Sequence, residues 1–411
     1  MRILWVKAGG LVPPDTGGKI RSYNILRQLV KRHKVTLFTF YRKYDGDGHS
    51  ELAHLFHQVV CVPLPLPASH TFSEAALYAR NLLTLQPYSI AKFCRPQVAG
   101  ELRDLLRDYA FDVVVCDFVN AGGVIPWELS VPKILFTHNV EAQIWWRHYQ
   151  NARNPLWRAV SWLEYNAMNR TEQAYVKLAD HVLAVSEADR DHFSHFIDAS
   201  KITVIPTGVD IDFFQPDSRQ PEGKTLVFTG SMDWIPNEDA MLYFLKAIFP
   251  HIQQQVPDVA LWIVGRRPSE RLMTVAAQES GVRVTGQVDD IRPYVRDAAV
   301  YVVPLRIGGG TRLKIFEAMA MGKAVVSTAI GAEGLPVQQG DNIFLADQPK
   351  EFANKVVALL KDPQYRMSLG VAARQLVEEK YSWELVSADF ERALVKVVAP
   401  TLGRPIECNV S

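Results

Sequence analysis

Short apolar runs alternate with amphipathic segments along almost the whole chain. The apolar runs end at glycine, proline or polar residues, as buried strands do, and they predict strands at 2–6, 35–40, 59–62, 113–116, 134–137, 181–185, 202–205, 226–228, 260–264, 282–285, 300–303 and 324–327. Apolar residues spaced three or four positions apart predict helices at about 19–31, 238–255, 269–279, 312–321, 351–360, 364–379 and 384–397. Strands that alternate with helices in this way form parallel sheets covered on both faces.

The rhythm breaks once, at 206–224, where the sequence PTGVDIDFFQPDSRQPEGK has no helical period and is rich in Pro, Asp and Gly. This break predicts a first domain at 1–206, a linker at 207–223, a second domain at 224–380 and a last segment at 381–411. The predicted fold class is α/β, with two Rossmann-like, doubly wound parallel-sheet domains facing each other across a cleft. Ligands of open α/β sheets bind at the carboxyl ends of the strands, so we expect functional residues in the loops there.

The most informative of these loops is the triple glycine after the strand at 300–303. Gly308, Gly309 and Gly310 have no side chains, so their N–H groups can converge on a ligand at close range. Thr311 is a candidate N-cap of the helix at 312–321, whose positive end then points to the same place. The pattern predicts an anion-binding site.

The charges of that helix fit the same site. Arg312 and Lys314 place positive charge in the first turn, where it opposes the helix dipole unless a phosphate or pyrophosphate is bound. Glu317, one turn later, is suited to the vicinal hydroxyls of a ribose. The structural alternative is a glycine loop that caps an ordinary surface helix, with three solvated charges.

Composition sets limits on the class of protein. The chain has 411 residues, of which 48% are hydrophobic and 22% charged, and its net charge is +1, so no global attraction to nucleic acid or membrane is expected. The four cysteines form neither a CxxC pair nor a zinc-spaced cluster, which fits a reducing compartment. No run reaches the roughly 18 apolar residues of a membrane span, and we expect a cytoplasmic protein.

In the first half, the loop after the first strand ends in a glycine pair. Gly17 and Gly18 precede a predicted helix, and their N–H groups could approach a diphosphate or the reacting centre. The alternative is a tight turn that needs positive φ. Arg21 is a weaker candidate for contact with phosphate or acceptor. No GxGxxG follows either opening strand, which argues against a nicotinamide or flavin enzyme.

A histidine follows the strand at 134–137 directly. His138 at the carboxyl end of a parallel strand is positioned to meet a substrate hydroxyl, although histidines with a purely structural role are commoner. Asn139 and Glu141 are further candidates for the acceptor side.

The segment 144–165 mixes four tryptophans with arginines. Such a mixture can lie in a lipid interface and recruit an enzyme to a lipid-linked acceptor, and it can equally form a helical hairpin that buries its indoles. Both readings remain open from sequence.

Five motifs occur in the order in which one family has them. They are VIPTGVDIDFF (204–214), FTGS (228–231), VTGQVDDIRPYVRDAAVYVVPL (284–305), FEAMAMGKAVVST (316–328) and YSWE (381–384). Together they resemble the retaining glycosyltransferases of family 4, which have the GT-B fold. The combination of GSMDWIPNEDA and GGGTRLK resembles the bacterial branch associated with exopolysaccharide and cell-surface sugar transfer.

The resemblance implies roles for residues of the second half. Glu317 matches the second glutamate of the family's E-x7-E motif, expected at the ribose of the donor. Lys314 and Arg312 would act as catalytic clamps on the diphosphate, and Gly230 in FTGS would lie beside the donor. Val288 matches the segment next to the nucleotide base.

Two features depart from the family pattern. Gly309 stands where the family has its first glutamate, which leaves the donor sugar open, and DWIPN (233–237) replaces a loop that usually carries a basic residue. Arg266, after the strand at 260–264, could flank the base or a phosphate, or it could be solvated. In the first half, His138 matches a histidine that contacts the donor sugar, and the last helix is expected to cross back onto the first domain.

The function implied is transfer of a sugar, with retention, from a nucleotide-diphosphate donor to a hydroxyl acceptor that could be lipid-linked. The leaving phosphate would itself accept the acceptor's proton. No cofactor, metal or nucleic acid is expected, because Asp289 and Asp290 precede a helix and are better explained as its caps. The segment 144–165 would place the enzyme at the inner face of the membrane. The alternatives are a nucleotide-sugar epimerase of the same fold and a binding protein that has lost catalysis.

Overall fold

The structure is a computed structural model that describes residues 1–43, 50–68, 71–82, 84, 86–152, 154–217, 219, 221, 223–307 and 313–402. These residues form two compact units. The first consists of Met1–Pro206 together with the last helix from Val386 onward, and the second consists of Thr207–Leu385.

The first unit contains a seven-stranded parallel sheet with the strand order β3-β2-β1-β4-β5-β6-β7. Its strands are β1 Arg2–Ala8, β2 Lys34–Arg42, β3 Gln58–Leu64, β4 Val113–Asp117, β5 Lys133–Phe136, β6 His181–Ala184 and β7 Ile202–Val204. Its α-helices before the last are α1 Gly17–Leu29, α2 Phe72–Leu82, α3 Tyr88–Ala91, α4 Pro96–Asp108, α5 Glu141–Asn151, α6 Pro155–Leu178 and α7 Glu187–Ser194. The central strands are apolar on both faces because helices cover both sides of the sheet.

The second unit contains a six-stranded parallel sheet with the order β10-β9-β8-β11-β12-β13. Its strands are β8 Thr225–Thr229, β9 Ala260–Val264, β10 Val282–Val284, β11 Val300–Val303, β12 Ala324–Ser327 and β13 Phe344–Leu345. Its α-helices are α8 Ile235–Tyr243, α9 Phe249–Gln255, α10 Glu270–Ala277, α11 Arg292–Asp297, α12 Leu313–Ala320, α13 Pro349–Lys361 and α14 Pro363–Lys380, and α15 Trp383–Leu402 ends the described chain. Two such sheets confirm the predicted doubly wound α/β fold class.

The helix predicted at 238–255 differs in detail. It begins earlier, with Pro236 in the first turn of α8, and a π-helical segment at Phe244–Ile248 separates α8 from α9. Pro250 lies in the first turn of α9 and has no N–H to donate to the preceding turn. A π-helical turn accommodates such a missing hydrogen bond without ending the helical run. Periodicity alone does not register this change of pitch.

Residues just after Pro206 pack within the second unit. The N–H of Val209 donates to the carbonyl of Tyr381 at 2.7 Å, and the N–H of Trp383 donates back to Val209 at 3.3 Å. Gly208 is in close contact with the Trp383 ring, because a Cβ there would lie 2.5 Å from a ring carbon. This part of 207–223 is therefore an ordered piece of the second unit.

The last helix belongs to both units by its contacts. From Val386 onward α15 packs in the first unit, where the fully buried Phe390 stacks on Trp5 at 5.4 Å and meets Phe136 edge-on at 5.1 Å between ring centroids. Glu391 adds an ion pair to Arg32 at 2.6 Å. The core of the first unit thus includes a helix that is distant in sequence.

We predict that Phe390→Ala destabilises the first unit by about 3 to 5 kcal/mol, because it removes a large ring from a closed aromatic cluster and leaves a cavity. Chemical denaturation followed by tryptophan fluorescence and circular dichroism would measure the change. Leu385→Ala, on the exposed side of the same helix, is the matched control and should cost much less. Equal effects of the two variants would contradict the packing described here.

Candidate functional site

In the second unit, the backbone just after β8 is in close contact with the backbone just after β9. The N–H of Gly230 donates to the carbonyl of Val264 at 3.0 Å, and a Cβ on Gly265 would lie 1.7 Å from the carbonyl oxygen of Gly230. Gly265 also has φ of +155°, which disfavours any side chain. Glycine at 265 is therefore needed to bring the two strand ends together.

The ammonium of Lys314 lies directly above Gly230. Its Nζ donates to Oδ1 of Asn237 at 2.7 Å and lies 4.2 Å from the centre of the Phe228 ring. A Cβ on Gly230 would come within 2.8 Å of the same Nζ, so glycine leaves room for the cation. Asn237 is fixed in turn, because its amide donates to the carbonyl of Ser231 at 2.9 Å. The structure therefore brings together two of the predicted donor-side residues, Gly230 and Lys314.

Glu317 follows one turn later on α12. Burial raises its pKa to about 7, and the nearby charge of Lys314 only partly opposes this effect. A carboxylate whose pKa is close to neutral pH, and which lies near a lysine, can accept hydrogen bonds from a ligand in place of those from water. The other residues predicted for this loop, Gly308, Gly309, Gly310, Thr311 and Arg312, lie outside the described residues.

Arg266 lies against the loop that follows β8. Its Nε donates to Oγ of Ser231 at 2.7 Å, and Ser231 in turn hydrogen-bonds to Asp233. Arg267 pairs with the same Asp233 at 3.1 Å. Arg266 is thus tied to the FTGS loop rather than simply solvated. Val288 is half-buried and packs on the core of the second unit.

In the first unit, Gly17 and Gly18 form the first turn of α1. Neither has positive φ, so the tight-turn alternative for the pair is wrong, and the preceding Thr16 is extended. A Cβ on Gly18 would lie 3.3 Å from Cδ2 of His138. A side chain at position 18 would therefore be tight against the histidine ring that packs on the helix start. The N–H groups of this turn have no acceptor within the helix.

A buried network of polar side chains lies behind that helix start. Oδ2 of Asp117 accepts from Nζ of Lys7 at 2.9 Å and from Nε1 of Trp5 at 2.8 Å, and Oδ1 is 2.8 Å from Nε2 of His138. Lys7 also donates to Ser22 at 3.1 Å. Burial alone would raise the pKa of Asp117, but the charge of Lys7 and the hydrogen bond from His138 outweigh it and hold that pKa well below its usual range.

His138 is buried in this network. Burial lowers its pKa to about 4, although the neighbouring Asp117 carboxylate acts in the opposite direction. Nε2 faces Asp117, and Nδ1 lies 3.3 Å from NH1 of Arg21. Both ring nitrogens are therefore engaged by side chains of the first unit.

Arg21 is fully buried, and its guanidinium points inward. NH1 donates to the carbonyl of Thr137 at 2.6 Å, NH2 donates to the carbonyl of Ile205, and the group lies 4.4 Å from the centre of the Phe136 ring. Burial lowers its pKa to about 9 despite the charge of Asp117. In this structure Arg21 ties together the chain after β5 and the chain after β7.

Asn139 and Glu141 begin the next segment, and Glu172 of α6 organises it. The two carboxylate oxygens of Glu172 accept the N–H groups of Glu141 and Ala142 at 3.0 and 3.2 Å, so this residue caps α5. Burial raises the pKa of Glu141 to about 7 and that of Glu172 to about 8. Asn139 keeps a buried Oδ1 that has no hydrogen-bond partner among the residues that the structure describes.

Sequence reasoning missed Lys7, Asp117 and Asn237. The available signal for the first two was a charge near the carboxyl end of a mostly apolar strand, in RILWVKA and again in VVVCD. Asn237 had no comparable signal, because it contacts a lysine 77 positions away. Among the described residues, no group of three or more His, Cys, Asp or Glu could hold a metal ion.

Two family models match the chain and together cover most of it. One, described as Glycosyltransferase Family 4, matches residues 16–213, and the other, described as Glycosyl transferases group 1, matches residues 223–362. The chain belongs to glycosyltransferase family 4. The resemblance drawn from the five motifs is thereby confirmed at the level of the family.

Two relatives are informative for this family 4 chain. A phosphatidyl-myo-inositol mannosyltransferase of Mycolicibacterium smegmatis is 32% identical over 50% of this chain and 54% of its own length. A protein from the cps region of Klebsiella pneumoniae, itself uncharacterized, is 22% identical over 71% of this chain and 76% of its own length. The chain spans about half the length of the mannosyltransferases that it matches.

Solved structures confirm the GT-B fold. Sucrose-phosphate synthase from Thermosynechococcus elongatus matches 97% of this family 4 chain and 99% of its own chain, with a TM-score of 0.73 at 18% sequence identity. Within the described part of the chain, no helix is both long and apolar enough to cross a bilayer.

Proposed function

We propose that this chain is a retaining, metal-independent glycosyltransferase that moves a sugar from a nucleotide-diphosphate donor to a hydroxyl acceptor. We further propose that it acts in the synthesis of a cell-surface polysaccharide or glycoconjugate at the cytoplasmic face of the membrane. Membership in family 4 supports the reaction class, and the two relatives named above support the pathway. The observation that carries the proposal is the placement of Lys314 above Gly230, one turn before Glu317.

The chemistry of this cluster suits a diphosphate leaving group. In the reaction the bond from the anomeric carbon to the phosphate oxygen breaks, and a bond from the same carbon to the acceptor oxygen forms on the same face. Negative charge then develops on the diphosphate, and a fixed ammonium such as that of Lys314 stabilises it most in the transition state. The leaving phosphate oxygen takes the proton of the acceptor hydroxyl.

The environment of His138 indicates that it is not the base of the reaction. Its pKa of about 4 and its two engaged ring nitrogens make it unsuited to remove a proton from the acceptor. We therefore propose that His138 shapes the site next to Gly18. The leaving phosphate, and not His138, accepts the proton of the acceptor hydroxyl. The carboxylate of Glu317 would accept hydrogen bonds from the ribose hydroxyls of the donor.

The test of function is a screen of UDP, GDP, ADP and TDP sugars in the presence of EDTA, with release of the nucleoside diphosphate as the signal. With the active donor, we predict that Lys314→Met lowers kcat about 10- to 100-fold. A charge-assisted contact to a phosphate contributes ~1.5 to 3 kcal/mol, and methionine retains the contact with Phe228 but loses the charge.

Lys355→Met is the matched control for this variant, because Lys355 also lies over an aromatic ring, that of Phe344 at 4.8 Å, but on α13. It should leave kcat unchanged. Full turnover by Lys314→Met would refute the clamp. An isomerised donor without transfer would indicate an epimerase, and no turnover of any donor would favour a binding protein.

The pKa of Glu317 gives a separate prediction about donor binding. Because the ionised carboxylate accepts hydroxyl protons and its pKa is about 7, affinity for the intact nucleotide sugar should fall as the pH is lowered from 8.5 to 5.5. A nucleotide sugar has no terminal phosphate that titrates in this range, so calorimetry would report the protein group. Glu317→Gln should bind more weakly at pH 8 and show no such slope. A flat profile for the unaltered protein would contradict the ribose role.

We also propose that the helical hairpin of α5 and α6 contacts anionic lipid, as the mixture of tryptophans and arginines at 144–165 suggests. The exposed apolar side chains of the hairpin include Trp146, Leu156, Trp157 and Trp162, with Leu156 73% exposed. Between 142 and 178 the only acidic residues are Glu164 and Glu172, and both are buried. The surface of the hairpin therefore combines apolar groups with positive charge from residues such as Arg158.

We predict that the protein floats with anionic vesicles, less well with neutral ones, and that Leu156→Ser with Trp162→Ser weakens binding at least about tenfold. Burying each side chain contributes roughly 1.5 to 3 kcal/mol. Ile235→Ser is the control, because Ile235 is an apolar side chain of the second unit whose exposure, 66%, lies between those of Leu156 and Trp162. The idea fails if the double variant floats as well as the unaltered protein.

A further inference from the structure

Asp117 has no role in the proposed sugar transfer, yet it connects several buried side chains of the first unit. It lies at the end of β4, is 1% exposed, and receives hydrogen bonds from β1 through Trp5 and Lys7 and from the chain after β5 through His138. Lys7 and Asp117 are direct neighbours in the register of β1 and β4. A carboxylate so completely surrounded by donors can only accept hydrogen bonds.

We propose that Asp117 is a positioning residue that holds His138 in the tautomer with its proton on Nε2, and that Lys7 keeps Asp117 ionised for this purpose. The carboxylate at Nε2 must receive a proton, and the guanidinium of Arg21 at Nδ1 can only donate one. Only one tautomer of a neutral imidazole satisfies both the carboxylate and the guanidinium, namely the one with its proton on Nε2 and a lone pair on Nδ1.

The fixed ring then sets the surrounding backbone. Cδ2 of His138 faces the start of α1 at Gly18, so the orientation of the ring determines how closely the helix can approach. Nδ1 orients Arg21, whose other donors hold the carbonyls of Thr137 and Ile205. One carboxylate thus fixes the geometry of three loops at the carboxyl edge of the sheet.

Asp117→Asn tests the proposal. Lys7 and Trp5 both donate to the position of Oδ2, so the amide oxygen should take that place and the NH2 group should turn to His138. Nε2 must then accept, and the proton must move to Nδ1, where it meets the NH1 of Arg21. Long-range 15N–1H correlation spectra of the imidazoles, with His138 assigned by comparison with His138→Gln, report the tautomer directly.

For the unaltered protein we expect the Nε2–H pattern and no titration of His138 between pH 5.5 and 8.5. Asp117→Asn should lose that pattern. Trp5→Phe is the control, because it removes a hydrogen bond to the same carboxylate without changing its charge. If Asp117→Asn does not fold, the pair Lys7→Met with Asp117→Asn removes both buried charges and makes the same prediction. An unchanged Nε2–H pattern in the folded variant, or a His138 that titrates normally, would overturn the proposal.

The consequence for turnover rests on the proposed function. With the active donor, Asp117→Asn should lower kcat at least about tenfold, while Trp5→Phe changes it little. In serine proteases, a carboxylate that orients the catalytic histidine loses about 10⁴ in kcat on the same substitution. The spectra decide the tautomer even if no sugar is transferred, so a failure of the proposed function remains distinguishable from a failure of this one.

Discussion

The buried pair of Lys7 and Asp117 is the constraint on which the carboxyl edge of the first sheet depends. Removing one partner of such a pair leaves an uncompensated charge and commonly costs about 3 to 5 kcal/mol, whereas the intact pair adds little net stability. Its value here is geometric, because β1 and β4 are adjacent and in register at these two residues. His138, the start of α1 and Arg21 all take their positions from it.

The second unit solves a similar problem by different means. Its strand ends come together because Gly265 permits a backbone contact that no side chain would tolerate. Its cation, Lys314, is positioned by an amide and by the face of an aromatic ring. Amide and ring orient the ammonium without carrying a charge of their own, so they do not weaken its attraction for an anionic group. This arrangement is the physical reason for assigning the leaving group to this unit.

Much of this architecture was predictable from sequence, because strand and helix periods are local. The alternation of apolar runs predicted both sheets, and the spacing of Lys314 and Glu317 predicted a helix start with a cation and a carboxylate one turn apart. The partners were not predictable. Lys7 and Asp117 lie 110 positions apart, and only the strand order, with β1 beside β4, shows that they meet. The glycine pair was expected just before the helix, yet Gly17 and Gly18 already form its first turn, and the close approach of the His138 ring to Gly18 had no signal in the sequence.

Arg21 and Lys314 show why a cation near a helix start is ambiguous in sequence. Both follow a strand and a glycine-rich loop, and in both the helix dipole opposes the positive charge. For Arg21, the carbonyls of Thr137 and Ile205 supply the compensation, so the residue is absorbed into the core. Lys314 instead remains partly accessible at the carboxyl end of β8. The two cations differ because the fold brings carbonyl oxygens from distant segments next to Arg21, and sequence alone does not show which segments meet in the folded chain.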